Sequence, residues 1–123
     1  MSIDLSSQRQ YIQRAVAVRH SFSATTQQTL YTAPNGDDYS FAVLMGIFAC
    51  DHGNQQTNLD ISIVDTSANE FFLYKQHNIS AYGTEELVAN SGLILQDGEV
   101  LKAQVNHANI DIFFSIIEYA KGD

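Results

Sequence analysis

The sequence predicts an all-β protein: a single antiparallel β-sandwich, jelly-roll-like, of about eight strands with an extended N-terminal arm. Three observations predict it. Residues that fit a pleated surface are plentiful, with 6 Tyr and 7 Phe against 1 Pro and no Trp. Short apolar or alternating runs recur at spacings of roughly ten residues. Turn chemistry stands between them, as Pro34-Asn35-Gly36-Asp37, Asn90-Ser91-Gly92 and Asp97-Gly98. A chain of 123 residues is one domain, large enough to bury a core, and with one cysteine, Cys50, it has no internal disulfide.

The elements follow in chain order. Residues 1–8 are polar and irregular, and residues 1–28 as a whole are expected to form an arm or an edge strand. Within it Ile12, Val16 and Val18 share one parity, but Arg14 and His20 break that apolar face. A strand from about Ala15 is preferred over a helix at 6–18, which Gln and Arg would tolerate. The sandwich domain then runs over 29–123. Thr29–Ala33 is a short strand closed by the Pro34–Asp37 turn.

Tyr39–Cys50 is apolar on both parities, as in a central strand covered on both sides or one whose outer side is an interface. Gly46 inside it marks a bulge or a close backbone approach. Leu59–Val64 alternates, placing Leu59, Ile61 and Ile63 inward. Glu70–Lys75 is a strand, the signal thins over 76–84, and Glu85–Ala89 is a short strand ended by an Asn90–Gly92 turn. Leu93–Tyr119 reads as three strands joined by a tight Asp97-Gly98 hairpin turn and by Asn106–Asn109. In the last of them Ile110, Ile112, Phe114 and Ile116 share one face, with Phe113 and Ile117 on the other.

The net charge is −8, which argues against a nucleic-acid partner. It is unevenly spread. Arg9, Arg14 and Arg19 face one acid, Asp4, within residues 1–20, whereas Lys75, Lys102 and Lys121 face 13 acids in the remainder. A basic arm on an acidic body is drawn to acidic surfaces, a second copy included. No apolar run is long enough to span a bilayer, so no membrane partner is expected. The opening MSIDLSSQRQ lacks the pattern of a secretory signal, so a soluble protein of the compartment that makes it is expected.

Chemistry is sparse. His20, His52, His77 and His107 stand singly without metal-ligand spacing and read as solvated loop histidines; a site would need Asp51-His52 and His107 to come together at one end of a sandwich. Asp37, Asp38, Asp97 and Glu99 read as turn-forming acids rather than calcium ligands. Cys50 reads as a buried, inert thiol, and Asn78-Ile79-Ser80 as a chance sequon. No catalytic set, phosphate loop or nucleophile elbow occurs, so neither catalysis nor a cofactor or metal is expected.

Three segments in order carry a resemblance: Leu30-Tyr31-Thr32-Ala33-Pro34-Asn35-Gly36, then Gly92-Leu93-Ile94-Leu95-Gln96-Asp97-Gly98-Glu99-Val100-Leu101, then Ser115-Ile116-Ile117-Glu118. Together they resemble the small virion-associated β-sandwich proteins of tailed bacteriophages, over about residues 30–118. Glu99 replaces the usual Asp, and Phe41–Cys50 is more apolar than the Asn/Thr-rich strand of that pattern. The resemblance implies a structural protein of the particle, a capsid decoration or cement protein, assembled in the bacterial host cytoplasm. Its partners would be the major capsid protein or other virion proteins, with homo-oligomers in the particle. Arg9, Arg14 and Arg19 are then the candidate docking contacts of the arm, and Phe72, Tyr74, Phe113 and Ile117 the candidate interface, unless they line the second face of the core.

Two other readings stand beside it. The same module fits the tail, as a fibre, collar or baseplate piece. A lectin-like sandwich would hold glycans with Tyr82 and the Asp51–Asn54 loop, though the usual Trp platform is absent.

Overall fold

A computed structural model describes residues 11–34 and 41–121. Among these, eight strands follow one another: β1 (Tyr11–Ser21), β2 (Gln28–Thr32), β3 (Phe41–Asp51), β4 (Thr57–Val64), β5 (Glu70–Ile79), β6 (Thr84–Leu95), β7 (Val100–Val105) and β8 (Ile110–Lys121). They form two antiparallel four-stranded sheets, a front sheet ordered β1-β8-β3-β6 and a back sheet ordered β2-β7-β4-β5. The chain changes sheet at every connection except the β4–β5 hairpin. Eight strands in this order make a jelly-roll sandwich.

The core lies where the alternation is strictest. Leu44, Ile47, Ile112, Phe114 and Ile116 from the front sheet meet Leu59, Ile61, Leu101 and Val105 from the back, all buried. Leu59, Ile61 and Ile63 point inward as the sequence pattern requires. The inner face of β8 is also the expected one, Ile110 through Ile116 on alternate positions.

Four local readings are corrected by the structure. First, the helix alternative fails over the described residues. β1 pairs with β8 from Tyr11–Lys121 to Ser21–Asp111, so it is an integral edge strand from residue 11 on rather than from Ala15. Arg14 and His20 sit on its inner parity because each finds a partner there: Glu118 for Arg14, and the ring of Phe22, 4.7 Å away edge-on, for His20. Second, Asp97-Gly98 is a tight turn but no hairpin. Gly98 has φ +77° and the Glu99 N–H donates to the Gln96 carbonyl at 3.0 Å. The flanking strands β6 and β7 nevertheless belong to different sheets.

Third, Asn90-Ser91-Gly92 does not end a strand; β6 runs through it. The pairing to β3 skips from Leu44–Leu93 to Gly46–Ala89, and Gly92 takes φ +62° in that bulge. Fourth, β5 continues to Ile79 past a bulge at Gln76, φ 53°. The bulge expected at Gly46 is present, at Met45-Gly46, and it reverses the alternation of β3. Ala42 and Leu44 point inward before it and Ile47 and Ala49 after it, which leaves Phe48 outside. The Asn35–Asp37 part of the first turn, and Asp38, lie outside the described residues.

Candidate assembly surface

Because side chains alternate across a pleated strand, the core-facing set of the front sheet leaves a second set on its outer side. Residues directly opposite one another form rows across the four strands. One row is Arg19, Phe113, Phe48 and Glu86. The next is Ala17, Ser115, Gly46 and Ala89, and beyond it Ala15, Ile117, Val43 and Ile94. A partial row pairs Tyr119 with Phe41, stacked at 4.8 Å and 9°. This face is apolar at its centre and open to solvent: Ile94 is 56% exposed, Phe48 44% and Phe113 40%.

Ser115, Gly46 and Ala89 of the small-residue row line a hollow of about 270 Å³ together with Phe48, Glu86, Met45 and Val88. Gly46 sits at its floor, where a Cβ would stand 3.3 Å from the Val88 carbonyl oxygen. Monomers rarely leave an apolar face of this kind uncovered.

The candidate interface residues therefore divide. Phe113 and Ile117 lie together on the front face, outside the core. Phe72 and Tyr74 are on β5 at the far edge of the back sheet. There Lys75 Nζ lies 4.4 Å from the centre of the exposed Phe72 ring, and the half-buried Tyr74 hydroxyl donates to the Leu87 carbonyl. The three arginines divide too. Arg9 lies outside the described residues and Arg19 stands exposed at the end of its row. Arg14 is held by Glu118, Nε to Oε1 at 3.0 Å. Glu118 is buried, and its other oxygen accepts the Tyr31 hydroxyl at 2.5 Å. Burial pushes the Glu118 carboxyl up, yet the hydrogen bonds from Tyr31 and Arg14 outweigh it and hold the group below the usual range. Burial, then the bond to Glu118, pushes the Tyr31 phenol up.

The loops at one end of the sandwich meet as their positions suggest, but they close on themselves. Asp51 Oδ1 accepts the Gly53 N–H at 2.9 Å and Asn109 Nδ2 at 3.0 Å, while Thr57 donates to Asn109 Oδ1 at 2.7 Å. His52 stands 3.5 Å from Asp111 Oδ1. Among the described residues no group of three or more His, Cys, Asp or Glu is placed to hold a metal ion. Cys50 is half-buried on the outer side of β3, not in the core. Tyr82, 71% exposed with φ 56°, does lie beside the Asp51–Asn54 loop, its N–H donating to Gly53 O at 3.1 Å.

A concavity of about 510 Å³ lies on the back sheet and is lined by polar groups such as Asn58, Asp60, Lys75 and Gln104. Several of these are committed to local structure: Asp60 accepts the Gln76 N–H at 2.6 Å and Gln104 donates to Thr25 O at 3.1 Å.

The shared face of Glu86 and Ile94 is not legible in the sequence, because the Asn90–Gly92 turn signal divides β6 in two. The available signal was the second apolar parity of β3 and β8. Compared with known proteins, the chain matches no family model, no curated sequence and no solved structure.

Proposed function

We propose that this chain is a non-enzymatic structural protein that works by adhesion, an accessory component of a tailed-phage particle, most specifically a capsid decoration or cement protein. The observation that carries the adhesive reading is the front face, where Phe113 and Phe48, and across the small-residue row Ile117, Val43 and Ile94, stand on the solvent side of the sheet. The resemblance in three sequence segments supplies the particle. The arm's contribution is narrower than residues 1–28: residues 11–21 are a strand of the sandwich, so docking contacts fall to residues 1–10 and to the faces.

The test is to purify particles of the encoding phage and quantify the chain by mass spectrometry, with Phe48→Asp introduced alongside. The chain is expected in wild-type particles and depleted from those carrying the substitution. Hundreds of copies per particle assign it to the shell, and about a dozen or fewer to the tail. Complete absence from mature particles overturns the reading.

A glycan-binding role is favoured by one observation, the exposed Tyr82 ring beside the Asp51–Asn54 loop. Binding on a glycan array that Tyr82→Ala abolishes would establish it.

A further inference from the structure

We propose that the front face pairs with the front face of a second copy about a two-fold axis parallel to the strands, so that Arg19 of each copy meets Glu86 of the other and Phe113 packs over Phe48. The inference rests on the reading of this face as an assembly surface, and it names the occupant.

Symmetry and register carry the argument. A two-fold axis lying between two stacked sheets and running along the strands reverses the strand order but keeps every row at its own height. The row Arg19, Phe113, Phe48, Glu86 then lies under Glu86, Phe48, Phe113, Arg19. Opposite charges meet at both flanks and rings meet in the middle. Such an interface is isologous, each contact occurring twice. A two-fold axis along the rows does the reverse. It stacks β1 on β1 and β6 on β6, and through the small-residue row it lays the aromatic row over the aliphatic row. Glu86 would then be buried against Ile94 and Arg19 against Ala15, two desolvated charges without partners. Only the first arrangement satisfies both charges.

The two ends of the row are available for this. Arg19 and Glu86 are exposed and have no ion-pair partner in their own chain among the described residues. They stand on the two edge strands, β1 and β6, so they bracket the apolar centre as a polar rim. Size is sufficient. Four strands about 4.8 Å apart and four complete rows about 6.8 Å apart, the three above and Ser21, Asp111, Cys50 and Thr84 next to the aromatic row, give a footprint of roughly 500 Å² per copy, or about 1,000 Å² for the pair. That reaches the lower bound for a specific interface. The sheets would stack about 10 Å apart, as the two sheets of one sandwich do.

Sedimentation velocity on the full chain tests it. The wild type is expected to dimerise. Arg19→Glu and Glu86→Arg, each placing like charges at both flanks, should each raise the dimer Kd about a hundredfold. Both positions are exposed, so the strands should remain, which far-UV circular dichroism would check. An equimolar mixture of the two variants should dimerise again, because every flank then pairs Glu with Arg; the double variant Arg19→Glu/Glu86→Arg should dimerise alone. A wild type that stays monomeric to about 1 mM, or a mixture of variants that fails to recover dimer, overturns the inference. Either failure leaves the particle experiment above unaffected, and a dimer absent from particles would overturn that reading alone.

Discussion

Tyr31 and Glu118 join the two sheets at one end of the sandwich, the phenol donating to the carboxylate at 2.5 Å. Tyr31 belongs to the Leu30–Gly36 segment and Glu118 to Ser115–Glu118. They are 87 residues apart in sequence. Their meeting gives those residue types a physical reason: β2 of the back sheet is tied to β8 of the front sheet, and Arg14 on β1 closes the same carboxylate from outside.

Tyr31→Phe keeps the ring in the core and removes only the hydroxyl. Glu118 then loses the donor to a buried oxygen while Arg14 remains. The expected loss is about 1.5–3 kcal/mol of unfolding free energy, since a hydrogen bond to a charged group is worth more than a neutral one. Urea unfolding followed by circular dichroism reads it. An unchanged midpoint would mean that the bond contributes nothing.

The same carboxylate sets an acid limit. A group whose folded pKa is depressed contributes stability above its unfolded value, here 4.5, and loses it as pH falls through the folded pKa. Melting temperature should therefore decline below about pH 4.5, and Glu118→Gln should flatten that decline relative to its own value at pH 7. Asp65, held by the Asn69 and Ser67 N–H groups, and Glu70, held by Ser62 and Gln27, are shifted in the same direction but are exposed and add little. At the alkaline end Tyr31 acts oppositely. Its raised pKa means that stability is intact below pH 10 and is lost as pH climbs beyond it, a limb that Tyr31→Phe should reduce.

The strands were legible where burial on one side writes a period of two into the sequence, as in Leu59–Ile61–Ile63 and in Ile110–Ile116. Pairing was not. Asp97-Gly98 has the same chemistry whether it folds two neighbours together or carries the chain from one sheet to the other, and only the positions of β6 and β7 decide between them. The glycine signals the bulge at Met45-Gly46 but not its consequence: one extra residue exchanges the two faces of β3, so Leu44 and Phe48 share a parity and end on opposite sides. Arg14 looked like an interruption of an apolar face because its partner lies 104 residues away. The candidate surface was half visible, in the second apolar parity of β3 and β8. Its charged ends became visible only with the register of β1 and β6.

Gly53 is required by the loop clasp. An added Cβ would stand 2.6 Å from Asn109 Nδ2 and 2.9 Å from Asn109 Cβ. Asn109 has little freedom to retreat, since its amide also donates to Gln55 O at 3.0 Å besides bonding Asp51 and Thr57. Gly53→Ala is expected to cost about 1–3 kcal/mol, the range for forcing extra volume into a packed site. Differential scanning calorimetry should show the lower melting temperature. An unaltered one would show that the clasp yields without loss.

Phe113 and Phe114 are neighbours on β8 and face opposite ways, so the same truncation separates core from surface. Phe114 is 1% exposed between the sheets, and Phe114→Ala should cost about 3–5 kcal/mol through lost transfer energy and the cavity left behind. Phe113 is 40% exposed, with Arg19 and Phe48 beside it on the front face. Phe113→Ala should change monomer stability by less than about 0.5 kcal/mol, the usual range for surface substitutions. Its effect belongs in association, where an aromatic at the centre of a contact is worth at least about 2 kcal/mol. Denaturant unfolding at low protein concentration and sedimentation at high concentration read the two quantities separately. If Phe113→Ala unfolds as easily as Phe114→Ala while leaving association intact, the front face is serving the fold and has no adhesive role.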